Sequence, residues 1–188
     1  MPIFEVYFSY NFNSMKKIIT IFGSSKPAEN EEQYITSYNI GKQLAVKGFD
    51  VCTGGFNGTM EAASKGAVEG GGQAIGVTVN LWGGSTNKYI TREIKCNSLL
   101  ERIQKLIELG NGFIVLQGGT GTLLELAVIW EYINKGIMQA RPIACYSSLW
   151  KKVVSEMNEQ MKLEGKNTEL VRTFDTTEEI IDYLQNNL

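Results

Sequence analysis

Three stretches of glycine and small hydroxyl residues have the composition of chemistry-bearing turns. They are Gly23, Ser24 and Ser25; Thr53, Gly54, Gly55, Phe56, Asn57, Gly58 and Thr59; and Gln117, Gly118, Gly119, Thr120, Gly121 and Thr122. Glycine admits positive φ and lets backbone approach a ligand closely. Successive N–H groups can then line a concave nest for anions, and a helix starting there adds its donors and the positive end of its dipole. The third stretch is therefore expected to hold a phosphate, with Thr122 adding a hydroxyl donor. One such turn alone would read as a tight connection, whereas three at matching strand ends read as a ligand site. No GxxxxGK[ST] run occurs, and the first turn does not read GxGxxG, which disfavours a dinucleotide redox enzyme.

Two charged residues sit near these turns. Glu125 falls one turn into an otherwise apolar helix, LLELAVIW. At the mouth of a sheet, beside a phosphate nest, it is placed for catalysis, and the helix N-terminus is expected to help keep it ionised. The bland alternative is a solvated helix edge. Arg102 lies off the apolar stripe of its own helix, and from spacing alone it reads as half of a surface ion pair. The chain contains no histidine, so no histidine can serve as general base, triad member or metal ligand. Cys52, Cys96 and Cys145 form no CxxC pair, and core packing is their expected role. The net charge of −2 leaves no basic excess for a nucleic-acid partner.

The elements that must position these residues follow from the hydrophobic pattern. Apolar or β-branched runs predict strands at 17–22, 49–53, 73–79, 89–94, 112–116, 142–146 and 170–174. Helical spacing predicts helices at 31–47, 60–69, 98–109, 122–134, 151–163 and 178–184. Strands that are continuous apolar runs and alternate with helices indicate an α/β fold: a Rossmann-like, doubly wound, mainly parallel sheet with helices on both faces. Residues 15–188 are expected to form one nucleotide-binding domain, after an N-terminal appendage at 1–14. No run is long enough to span a bilayer, and residues 1–14 lack a signal peptide's features, so the cytoplasm is the expected location. Helix 122–134 is apolar on nearly every side. Deep burial and a homodimer interface both account for that, and a dimer is expected.

The turns together resemble the Lonely guy family, also called lysine decarboxylase-like, and its relatives among the molybdenum-cofactor carrier proteins. The resemblance runs from Ile18 to about Tyr146, through FGSS, TGGFNGTMEAASKGA, GGQAIGV and QGGTGTLLE. The last is similar to the family signature PGGxGTxxE. The resemblance implies a phosphoribohydrolase that cleaves the N-glycosidic bond of a nucleoside 5′-monophosphate, of cytokinin-riboside or adenosine type, to free base and ribose 5-phosphate. It implies Glu125 and Arg102 as catalytic residues. Gly23, Ser24, Ser25, Gly54, Gly55, Gly58 and Met60 would bind nucleotide together with Gly118, Gly119, Thr120, Gly121 and Thr122. The partner is then a small nucleotide, with no metal and no cofactor needed, and nothing identifies a Schiff-base lysine for decarboxylation. Three positions depart from the pattern: Gln117 stands for the signature proline, Leu99 for a methionine before the arginine, and Ile103 for a lysine after it. The GTMEAASKGA stretch looks closer to the carrier branch, so the alternatives are a non-catalytic carrier of a phosphorylated or molybdenum cofactor and a nucleotide sensor. Trp82, Tyr89 and Trp130 are candidates for packing a base, and each reads equally well as a core or loop residue.

Overall fold

The computed structural model describes residues 16–80 and 86–188. The expected appendage at 1–14 and Trp82 lie outside these residues. The elements, in chain order, are β1 (Ile18–Phe22), α1 (Glu32–Val46), β2 (Asp50–Thr53), α2 (Thr59–Glu69), β3 (Ala74–Val79), β4 (Arg92–Cys96) and α3 (Leu99–Leu109). They continue with β5 (Gly112–Val115), α4 (Thr120–Asn134), β6 (Ile143–Tyr146), α5 (Ser148–Leu163), β7 (Val171–Phe174) and α6 (Thr177–Asn187). Every strand pairing is parallel, in the order β4-β3-β2-β1-β5-β6-β7. The chain thus starts in the middle of the sheet, winds outward through β4, and returns to the other side of β1 with β5. That reversal makes a crevice at the carboxyl ends of β1 and β5, where doubly wound sheets bind ligands.

Side-chain alternation explains why both faces are covered. Within β1, Ile19 and Ile21 join one core cluster, with Ile40, Leu44, Ala63 and Leu184. Ile18 and Phe22 pack into the other, with Leu106, Ile129 and Trp150. The first cluster lies under α1, α2 and α6, and the second under α3, α4 and α5. All three cysteines are buried, as core packing requires. Helix α3 is the sharpest case of an element set by its pattern. Ile103, Leu106 and Ile107 are buried while Leu100 is 72% exposed, and the Ser98 hydroxyl accepts from Glu101 N–H at 3.1 Å. Such an N-cap stabilises a helix by about 1 kcal/mol.

Two of the boundaries that differ from the sequence expectation bear on the site. The strand expected at 89–94 begins only at Arg92. Asn87 Oδ1 accepts from Tyr89 N–H and its Nδ2 donates to the carbonyls of Gly55 and Phe56, so the segment up to Ile90 is folded into an Asx turn against the β2–α2 connection. Helix α4 begins at Thr120 rather than 122, which makes Thr120, Gly121 and Thr122 its first turn. Among the described residues no helix is long and apolar enough to cross a membrane.

Candidate functional site

The carboxyl ends of β1, β2 and β5 surround a cavity of about 660 Å³. Its walls come from three turns tied together through Ser24. The Ser24 N–H donates to the Gln117 carbonyl at 3.2 Å, and the Ser24 carbonyl accepts from Thr59 N–H at 2.9 Å and from the Thr59 hydroxyl at 3.0 Å. Ser24 Oγ also accepts from Lys26 N–H at 3.1 Å. The three turns are therefore one hydrogen-bonded unit rather than three independent loops. Much of Ser24's hydrogen-bonding capacity is already committed to that unit.

One wall is the first turn of α4. Its N-cap position, Gly119, brings no side-chain capping bond, so the turn meets the cavity with its leading N–H groups and the positive end of the helix dipole, an anion-binding arrangement. Gly119, Thr120, Gly121 and Thr122 all line the cavity. The donor set differs from the expected nest in one respect. Gly118, Gly119 and Gly121 are absent from the positive-φ glycines, which include Gly55 and Gly58. The anion-binding arrangement here is that of a helix terminus, without left-handed backbone.

Arg102, from α3, and Glu125, one turn further along α4, line the same cavity, and both correct the bland sequence reading. Arg102 is 6% exposed and Glu125 9%, so neither lies on a solvated edge. Arg102 Nε donates to the Val77 carbonyl at 2.9 Å, and Nη1 lies 3.4 Å from Glu125 Oε1. The guanidinium also packs 5.7 Å from the centroid of the Phe56 ring, a cation–π distance. It is held on three sides and presents its positive charge to the carboxylate. Burial pushes the Glu125 carboxyl up to about 7, against the opposing pull of Arg102. The expected ionisation by the helix terminus is thus outweighed by loss of solvent. A carboxyl poised near neutrality is suited to exchanging a proton at working pH.

Gly23, Ser24, Ser25, Gly54 and Met60 also line this cavity. Gly55, Gly58 and Gly118 do not. Gly55 packs on Thr78 and Gly76 of β3, Gly58 on the backbone of Ser24 and Ser25, and Gly118 on the Thr122 side chain. Gly118 lines a neighbouring depression with Lys26 and Gln117. Sequence reasoning missed Lys26, Phe56 and Asn57, which line the main cavity. Phe56 and Asn57 stood inside the GGFNG turn, the one signal available. Among the aromatic candidates, Tyr89 lies beside Lys65 and Lys88, and Trp130 lines a groove between α4 and α5, so neither reaches this site. Ile103 is buried in the core under α3 and leaves the cavity's second cation to Lys26.

Comparison with known proteins agrees with this architecture. Residues 16–177 match the model of the SLOG cluster4 family. The pyrimidine/purine nucleotide 5′-monophosphate nucleosidase of Escherichia coli K12 is 30% identical over 106 residues, covering 52% of this chain but only 23% of the enzyme. A probable cytokinin riboside 5′-monophosphate phosphoribohydrolase of Oryza sativa is 30% identical over 123 residues, 62% of this chain and 49% of that one. The chain therefore spans half or less of these two relatives. The structure of a molybdenum cofactor binding protein from Rippkaea orientalis superposes with a TM-score of 0.74 at 22% identity, covering 92% of this chain and 98% of that one. The chain belongs to the SLOG cluster4 family.

Proposed function

We propose that this SLOG cluster4 protein hydrolyses the N-glycosidic bond of a nucleoside 5′-phosphate. The observation that carries the reading is the buried Glu125–Arg102 pair sharing one cavity with the uncapped first turn of α4. The names of the relatives support the same class of reaction. The 5′-phosphate sits on the N–H groups of Thr120, Gly121 and Thr122, assisted by Lys26. Binding there orients the ribose, so that remote binding energy lowers the barrier at C1′. As the C1′–N bond breaks, its electron pair leaves with the base and positive charge builds on the ribose ring. The Glu125 carboxylate stabilises that charge and takes a proton from the water that adds to C1′. The departing base gains a proton, and ribose 5-phosphate is left. Arg102 positions Glu125 and balances its charge.

The test is chromatography of purified protein incubated with the common nucleoside 5′-monophosphates. Release of free base and ribose 5-phosphate is expected, lost by at least about 10³-fold in Glu125→Gln. Unchanged turnover in that variant would overturn the role of Glu125. A second reading, a non-catalytic carrier of a larger phosphorylated ligand, draws on the roominess of the 660 Å³ cavity. Nucleotide-dependent thermal stabilisation with no base released would decide for it.

The protein acts in the cytoplasm as a homodimer. The support for association is an apolar groove between α4 and α5, at whose edges Leu123 and Met157 are 42% and 44% exposed. Trp130 Nε1 is buried there without a hydrogen-bond partner. Light scattering at micromolar concentration is expected to give twice the chain mass, and a monomer mass would remove this part of the reading.

A further inference from the structure

A second cavity, of about 290 Å³, opens on the other face of the same sheet edge. Its floor is a row across three adjacent strands: Leu116 just beyond β5, Tyr146 at the end of β6 and Phe174 at the end of β7. Tyr146 and Phe174 are register partners, so they share the sheet face under the α1–α6 layer, where both pack against the core. The floor is fixed from behind, because Trp150 Nε1 donates to the Leu116 carbonyl at 2.8 Å from within the protein. The rim is polar, with Gln33, Gln117, Ser147, Ser148 and the Lys151–Asp175 ion pair. With Lys151 already paired, Glu32 is left as the unbalanced charge on this rim. Such an apolar floor with a polar rim suits a flat heteroaromatic ring with hydrogen-bonding edges.

The two cavities are joined. A polar depression between them shares Ser24 and Lys26 with the first, and Gln33 and Gln117 with the second. Together they form one trough that crosses the carboxyl edge at the switch point between β1 and β5. The division of chemistry along it is uneven. Arg102, Lys26 and the α4 terminus lie at one end, Lys26 and Glu31 share the saddle, and the apolar floor lies at the far end beside the first turns of α1 and α5. A nucleoside 5′-monophosphate would fill only the first part.

We infer that the ligand is a dinucleotide, two nucleosides joined 5′ to 5′ through a pyrophosphate. The reacting ribose lies at Glu125, the pyrophosphate runs from the α4 terminus over the Lys26 saddle, and the second base rests on Leu116, Tyr146 and Phe174. This inference rests on the reading of the first cavity as a phosphoribosyl site, and names its substrate class. Doubly wound sheets offer one nucleoside site on each half, which is the geometry such a ligand needs. The bond broken is unchanged: water adds to C1′ of the first ribose, its base leaves, and the second nucleoside stays attached to the pyrophosphate.

The test compares binding of adenosine 5′-monophosphate and diadenosine 5′,5′-diphosphate by titration calorimetry, with base release followed in parallel. The dinucleotide is expected to bind at least tenfold more tightly to the natural protein. Ser148 is exposed at the first position of α5, so Ser148→Trp fills the second cavity without entering the core and is expected to bring the two affinities within about twofold. Tyr146→Ala, which removes part of the floor, is expected to narrow the gap in the same direction. Equal affinity for both ligands in the natural protein overturns the inference, as does a Ser148→Trp variant that keeps the tenfold difference. If the monophosphate is bound and cleaved while the dinucleotide gains nothing, the hydrolase reading stands and only this inference falls. If neither ligand binds, both fall.

Discussion

At Gly54, between β2 and α2, an added methyl group would collide with the Arg102 guanidinium and lie 2.7 Å from Met60 Sδ. At Gly58, four residues on, φ is +68° and the methyl would meet the Ser24 carbonyl oxygen at 2.5 Å. At Gly119 and Gly121, in the turn that opens α4, the same methyl would meet no protein atom within 4 Å. One turn requires glycine because other parts of the protein already occupy the space. In the other turn the protein leaves the space open and backbone conformation does not demand glycine. Identical residue types in similar motifs therefore carry different information: packing in the β2–α2 turn, and room for a ligand beside the α4 terminus.

Substitutions can break that comparison. The largest effect is expected at Gly54→Ala, which must displace Arg102 from its bond to Val77 and from Glu125. Turnover should fall by about 10²-fold or more, and stability by roughly 3–5 kcal/mol, as for removal of one partner from a buried charge pair. Urea melts and base-release assays would check both. Gly58→Ala combines left-handed backbone with a blocked Cβ, and a loss of roughly 1–3 kcal/mol is expected. A melting midpoint unchanged within error would mean that the turn is not tied to Ser24 as described.

Between the two turns lies Glu125, and pH reads its state. Its carboxylate is the working form, so turnover should rise with pH and level off above about 7, by about tenfold per unit on the acid side. The linked stability runs the other way. A carboxyl raised from its ordinary 4.5 to about 7 contributes stability that is fully present below 4.5 and is lost as pH rises through 7. Glu125→Gln should show neither dependence. The smallest change, Gly121→Ala, is the sharpest discriminator. It should leave stability unchanged or raise it by up to about 1 kcal/mol, since alanine is the better helix residue. Phosphate affinity should nevertheless drop about tenfold as the methyl enters the ligand's space. Unaltered affinity would remove the ligand-room explanation for this glycine.

The fold was legible because each strand and helix carries its own period. Ile103, Leu106 and Ile107 fall on one stripe of α3, and the FIVL run declares a strand covered on both faces. The glycine turns and Glu125 were legible as a candidate site for the same local reason. The state of Arg102 was not. Its spacing along α3 marks the polar side of the helix, and only the arrival of the Val77 carbonyl from β3 and Glu125 from α4 turns that side into an interior. Phe56 was hidden likewise, since its importance depends on a guanidinium forty-six positions away in the chain. The start of β4 was misplaced because the Asn87 turn draws its partners from Gly55 and Phe56. In each case the deciding contact is distant in sequence, and no window of neighbouring residues contains it.

The central place of β1 has a consequence for how the molecule assembles. Ile18 N–H donates to Asn111 Oδ1 at 2.8 Å across ninety-three positions, and β1 stays half-paired until β5 docks. Closing loops of that length slows folding, and the pocket cannot exist in any partly folded chain that lacks β5. Any ligand recognition in that pocket is therefore a property of the completed fold alone. A ligand present at a hundred times its Kd should shift the unfolding equilibrium of the whole chain by about 2.7 kcal/mol, as one transition rather than as the stiffening of a loop.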